Sequence, residues 1–523
     1  MKTKSLLFGL LASAAMVSCT NEVDSIENNG AIQAGEKSYV AVNIVAPVTR
    51  AFLPGSDAEV AVEDAVFLFL DKNFNGCALP YVCSEGLDFG DANGTGLDKE
   101  ATVLVIDGAK EVPSYIVAVL NPVNANAYTA STSLADLKAE NANYTTYTNE
   151  GEFVMSNAVY KAENGKEVAA TPITMENIFS TDDAAMENPV TIQVERVVAK
   201  VEVALGTAAA EWQDSEDLDD GDKDLELVID GWDILQNNNS TLVKNVNLSW
   251  THTWWNDVDL KRSYWAVDYR AANRNVLLFD NMTIADSRYV EETVNQTAND
   301  EGENVGNNIN PYLVVAAHFE DAETGEPISL VEWRGRKYSL DGYLNFIAGN
   351  SKLSQYWYKT GENAYSQFSA ALLAMVDDAT TDWKASAQLT SAAAAYEYYT
   401  CNYDAAGQPV EGSWELVKAD AAGKSPVANA VAEFGDVQYW NGGKTYYYTP
   451  ITHRTVNSDK YYGVVRNHWY KVDINSISGY GTPVSNPGQA IEIPEKPVDD
   501  NSYLAADVVI LEWAIVNNEV DLQ

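Results

Sequence analysis

A chain of 523 residues is too long for one ordinary core, so two domains are the starting expectation. Its hydrophobic content of 46% excludes wholesale disorder. The formal net charge of −43, from 33 Lys+Arg against 76 Asp+Glu, repels phosphate backbones and anionic lipids, so neither nucleic acid nor a peripheral membrane surface is an expected partner.

At the amino end, Lys2 and Lys4 precede the apolar run Leu6 to Ala12, which closes in Ala14-Ala15-Met16-Val17-Ser18-Cys19. A basic start, a short apolar stretch and small residues before the break predict a secretory signal over residues 1–18, too short to span a bilayer. Ser18 directly before Cys19 resembles a lipobox, after which Cys19 is lipidated; Met16 stands where such a site usually has Leu. No later segment reaches about 18 apolar residues, so this lipid is the expected membrane attachment. Residues 20–37 are polar and read as a tether. Residues 38–46 then place Val40, Val42 and Ile44 on one face, a strand signal that ends at Pro47. Arg50, just before Ala51, falls in the loop that follows; a lone arginine there is ordinarily a solvated side chain.

From residue 51 onward short β-rich runs dominate, among them Val66–Leu70, Tyr115–Leu120, Val197–Val203 and Leu225–Ile229, separated by Asn, Asp and Gly clusters. The pattern predicts a mainly β chain of two antiparallel β-sandwich domains, 51–245 and 246–523, with a few short helices. Ser133-Leu134-Ala135-Asp136 predicts a capping box opening a helix, and the Ala/Leu/Met-rich stretch Ser366–Val376 is helix-compatible. Cys77 and Cys83, six apart in a loop, could close a small disulfide outside the cytoplasm or remain two thiols. The end of the chain, residues 508–516, is a near-continuous apolar strand containing Val508, Val509, Ile510, Leu511, Trp513 and Ile515, which needs a partner to bury it.

Enzyme chemistry finds no foothold. The sequence has no G-x-S-x-G elbow, phosphate loop or H-E-x-x-H, and its four histidines, His252, His318, His453 and His468, complete no metal set, although His453 and His468 lie on neighbouring strand-like segments. Asp217–Asp222 fails as a calcium loop because Leu218 and Leu227 would occupy ligand positions. No catalytic residue, metal site or cofactor is expected.

Several pieces together resemble the fimbrillin family, subunits of the type V pili of Bacteroidetes-type bacteria, with the likeness strongest to major shaft subunits of the short, or minor, fimbriae. They are Val194-Glu195-Arg196-Val197-Val198-Ala199-Lys200-Val201, Arg262-Ser263-Tyr264-Trp265-Ala266, the run Tyr461 to Val472 containing Val464-Val465-Arg466-Asn467-His468-Trp469-Tyr470, Gly479-Tyr480-Gly481-Thr482-Pro483, and the final Leu511-Glu512-Trp513. The resemblance implies transthyretin-like sandwiches and a lipoprotein, acylated at Cys19, that passes through the periplasm to the outer membrane. It implies an arginine-specific maturation protease that cuts Arg50–Ala51 and discards the propeptide 19–50 with its strand (Val40, Val42, Ile44). The vacated groove would take residues 508–516 of a neighbouring copy, giving a head-to-tail polymer that also meets anchor and tip subunits and supports adhesion and biofilm formation. Four buried aliphatic side chains at about 1.5–3 kcal/mol each give about 6–12 kcal/mol of gross apolar stabilisation per joint. The rival readings are a surface glycan-binding lipoprotein, drawing on 13 Trp and 29 Tyr, and a tip or accessory subunit.

Overall fold

The structure is a computed structural model that describes residues 37–45, 52–54, 59, 61–84, 102–142, 144–148, 152–162, 164–205, 212, 218–219, 224–236, 240–246, 248, 275–294, 310–377, 383–456, 458–494 and 503–514. Mainly β architecture follows from the short β-branched and aromatic runs, as the sequence predicts. The first sheet has the spatial order Tyr81–Cys83, Ala65–Leu70, Tyr115–Leu120, Met155–Asn157, Val190–Arg196, Ser38–Val45, Thr102–Ile106. Ala65–Leu70 is buried along its whole length, which explains why it reads as a continuous apolar run rather than an alternating one.

The predicted capping box is present. Ser133 Oγ accepts from the Asp136 amide at 3.2 Å, and the Asp136 carboxylate accepts from the Ser133 amide at 2.8 Å. The helix Leu134–Ala139 that it opens turns Leu134 and Leu137 into the first core. Cys77 and Cys83 carry thiols and are not joined in a disulfide. Cys77 is buried, and its Sγ donates to the Phe69 carbonyl at 3.4 Å, while Cys83 stands on the strand paired with Ala65–Phe67. Burial pushes the Cys77 thiol up to about 12, so it is held in its unreactive form.

Strands change sheet at Val197. Val190–Arg196 belongs to the first sheet, whereas Val198–Leu205 lies in a second one ordered Ser287–Glu291, Val198–Leu205, His468–Ser478, Tyr503–Ala514, Phe52–Pro54. Residues 240–246 return to the first core: Leu242, Val243 and Val246 pack there, and Ser156 Oγ donates to the Leu242 carbonyl at 2.6 Å. No Gly or Pro marks the crossing inside Val194–Val201, which is why turn signals missed it.

The second sheet stacks on a third, ordered Leu225–Leu235, Tyr312–Asp321, Lys444–Pro450, Thr482–Pro483. Val201, Tyr470 and Val472 from one face meet Leu313, Val315, Phe319 and Tyr447 from the other, a sandwich core. A further core, absent from the two-domain expectation, gathers between Val331 and Tyr439 around the helices Leu340–Ala348 and Pro426–Ala432. It corrects the helix expected over Ser366–Val376. Tyr365–Gln367 and Leu373–Asp377 are strands, the latter paired with Lys384–Leu389, around a single 3-10 turn Ala370–Leu372. Helix propensity among these residue types amounts to a few tenths of a kcal/mol per residue, less than a full antiparallel pairing with an apolar face supplies.

Candidate assembly site

The leading strand, Ser38–Val45, is an interior member of the first sheet. It runs parallel to Val190–Arg196, Val42 facing Val190 through Val45 facing Gln193, and antiparallel to Thr102–Ile106, Ser38 facing Ile106 through Val42 facing Thr102. Val40 and Val42 are fully buried in the first core and Ile44 packs partly against it. Ala41, on the opposite face, is buried as well, where the short helix Asp182–Met186 lies beside the strand. The expectation of one apolar face therefore understates the burial: both faces are covered.

The terminal strand, Tyr503–Ala514, is not waiting unpaired. It runs antiparallel to His468–Ser478, from Ser478 opposite Tyr503 to His468 opposite Glu512, with a register shift between Ile474 and Ser476. Its backbone thus includes Val508, Val509, Ile510, Leu511 and Trp513 of the predicted donor segment; Ile515 lies outside the described residues, as do Cys19, Arg50 and Ala51. On its other edge the segment Phe52–Pro54 pairs in parallel with Glu512–Ala514.

Between the leading strand's sheet and the terminal strand's sheet sits a buried polar joint that charge counting alone does not reveal. Arg196, with no exposed surface, donates through Nη2 and Nε to the Glu59 carbonyl at 2.7 and 3.0 Å and through Nη1 to Asn467 Oδ1 at 3.2 Å. The Glu59 carboxylate, itself buried, accepts from Lys200 Nζ at 2.9 Å and from the Tyr289 hydroxyl at 2.6 Å; burial and this acceptor push the Tyr289 phenol up. Nearby, Arg466 Nε donates to Glu292 Oε2 at 2.6 Å, and its other nitrogens reach the Thr241 and Leu242 carbonyls. Asn467 takes a left-handed conformation (φ 57°), which Asn tolerates better than most side chains, and its amide donates to the Val198 carbonyl at 2.7 Å. The two sequence pieces Val194–Val201 and Val464–Tyr470 are therefore the two halves of one joint. The signal was available: Glu195, Arg196 and Arg466 sit inside apolar runs, and charges there are buried only when paired.

His453 and His468 do approach, with ring centroids 5.3 Å apart. His453 Nδ1 shares a hydrogen with the Tyr470 hydroxyl at 2.7 Å. Among the described residues no group of three or more His, Cys, Asp or Glu is placed to hold a metal ion, and no helix is long and apolar enough to cross a membrane. Trp232 and Trp440 are fully buried and Trp212 nearly so, which assigns these rings to packing rather than to sugar stacking.

His318 is a half-buried titratable group with a carboxylate on each side. Its Nδ1 lies 2.9 Å from Asp230 and its Nε2 2.9 Å from Glu320. The Asp230 hydrogen bond, aided by Glu320 and opposed by partial burial, holds its pKa above the ordinary 6.5. A raised folded-state pKa means that the stabilisation is full below the unfolded value and is lost as pH climbs through the folded one. His318→Gln should therefore lower the melting temperature more at about pH 5.5 than at about pH 8.5. Equal losses at both values would show that the two carboxylates do not hold the charged ring.

Residues 438–519 match the family profile described as major fimbrial subunit protein type IV, fimbrillin, C-terminal. That span contains the Arg466–Tyr470 half of the joint, the strand His468–Ser478 and the terminal strand. No curated protein matches the chain. Among solved structures the chain is similar to a candidate cell adhesion protein from Bacteroides eggerthii (11% identity, TM-score 0.38, covering 92% of this chain and 98% of that one). It is similar also to one from Parabacteroides distasonis (10% identity, TM-score 0.39, 92% and 98%). A tip fimbrial protein from Porphyromonas gingivalis with a C-terminal truncation aligns at 13% identity and TM-score 0.32, covering 91% of this chain and 100% of that one. The carboxyl-terminal region of the chain, residues 438–519, is thus similar to the fimbrillin C-terminal family.

Proposed function

We propose that this protein is a shaft subunit of a surface fimbria, exported as a Cys19-lipidated precursor and polymerised by strand exchange once an arginine-specific protease cuts Arg50–Ala51. The observation that carries the reading is the position of the leading strand. It is an interior strand with Val40 and Val42 fully buried, yet the peptide that ties it to the rest of the chain is the one holding Arg50. Its loss would uncover one edge of Val190–Arg196 and one of Thr102–Ile106, together with an apolar slot. Such a slot is refilled by an added strand, whose main-chain hydrogen bonds give affinity and whose alternate side chains set register.

The terminal strand's own pairing with His468–Ser478 changes the energetics expected from sequence. Donation is an exchange: ladder bonds broken in the donor offset those formed in the acceptor, so the net gain rests on filling the slot. Association of this kind is head-to-tail and does not close on itself, which yields a filament.

The test is mass spectrometry of the amino terminus of the surface protein, combined with electron microscopy of the same material. Filaments whose subunits begin at Ala51 are expected. Filaments built of subunits that retain a lipidated Cys19 would sink the proposal, and monomers beginning at Ala51 with carbohydrate affinity would favour the glycan-binding rival.

A further inference from the structure

Resting on that maturation reading, we propose that Phe52–Pro54 is a clasp on the tip of the terminal strand, kept shut by its continuity with the leading strand and opened by the same cut. The placement of three short segments carries the inference. Val45 ends in the first sheet and Phe52 begins in the second, so residues 46–51 bridge two sheets with the Arg50–Ala51 bond between them. Extended chain covers at most about 3.6 Å per residue, so both ends of this bridge are held on a short lead. Downstream, the clasp is fixed at Glu59, whose carbonyl takes two hydrogen bonds from the buried Arg196 and whose carboxylate takes those of Lys200 and Tyr289.

Alone, the clasp is weak. It is three residues long, it pairs in parallel, and it ends in Pro54, which has no amide hydrogen to donate. Pinned at both ends it stays in place. As a new chain terminus two residues beyond the cut it frays, because short ends tied on one side open readily.

What it covers matters more than how long it is. The pairing of the terminal strand with His468–Ser478 stops at Glu512. Among the described residues, Phe52–Pro54 is the one strand paired with Trp513 and Ala514, Leu53 facing Trp513 and Pro54 facing Ala514. When the clasp opens, the strand's tip loses its last paired strand among the described residues and becomes the point from which the strand can peel away from His468–Ser478. One proteolytic event then does two things: it empties the slot in the first sheet and loosens the segment that is to fill a neighbour's slot. An uncut subunit is locked at both ends of the exchange.

Amide hydrogen exchange on the natural sequence tests this directly. Monomer cut by an arginine-specific endoprotease should exchange at residues 511–514 at least about tenfold faster than uncut chain, while residues 504–508 change little. Equal exchange at 511–514 before and after the cut would overturn the clasp. A second arm locks it shut: Leu53→Cys with Trp513→Cys, oxidised, should leave cut subunits monomeric until reductant is added, the reduced double variant serving as its own reference. Oxidised double variant that forms filaments at the reduced rate would also overturn it. The two ideas fail separately, because wild-type cut subunits that form no filaments would defeat the maturation reading, while the exchange rates at 511–514 still decide the clasp.

Discussion

Arg50→Ala should abolish fimbriae while leaving a folded, lipidated monomer on the cell. The substitution removes the side chain an arginine-specific protease would recognise and alters neither the leading strand nor the terminal one. Both then remain in their own sheets, the former between Val190–Arg196 and Thr102–Ile106, the latter against His468–Ser478. The uncut variant should also resist denaturant better than cut monomer, since the cut forfeits the burial of at least Val40 and Val42, about 3–6 kcal/mol of gross apolar stabilisation. Surface extracts run without heating are the readout. Ladders of normal length from the variant would refute cleavage as the trigger, and cut monomer as stable as uncut would refute the slot.

Arg466→Ala is expected to be the most destabilising single substitution at the joint between the first two sheets. The guanidinium is about 1% exposed and serves Glu292, Thr241 and Leu242 at once. Truncation strands a buried carboxylate and removes a donor from the Thr241 carbonyl, while the Leu242 carbonyl keeps the Ser156 hydroxyl; breaking a buried pair on one side costs about 3–5 kcal/mol. Against a total stability on the order of 5–15 kcal/mol, that loss is a large fraction of the margin. Replacing both partners with apolar residues, Arg466→Met together with Glu292→Leu, should recover a large part of the loss, because no buried charge remains. Urea unfolding of the two variants decides the matter. A loss under about 1 kcal/mol for Arg466→Ala would mean that the pair is solvated in practice.

What could be read from the residues depended on whether the determinant was local. The leading strand was legible because Val40, Val42 and Ile44 alternate, and the helix at Leu134 because Ser133 and Asp136 sit at capping-box spacing. The stretch Ser366–Val376 misled because its residue types favour helix weakly, while the partner strand that decides the matter begins at Lys384. The change of sheet at Val197 was hidden for a related reason: it happens inside an unbroken β-rich run. The leading and terminal strands were both visible as apolar patterns. The contacts of Glu59 with Arg196, Lys200 and Tyr289 were not, since they join residues more than a hundred positions apart and no periodicity encodes them.

The direction of the leading strand has a consequence for the fibre as a whole. A replacement that preserves the hydrogen bonds on both sides must run along Val190–Arg196 and against Thr102–Ile106, so every junction would repeat the same orientation. A rod assembled in this way would be polar. One of its ends would present a vacant acceptor and the other an undonated segment, so the proteins that seal the two ends would need opposite chemistries, and neither could substitute for the other.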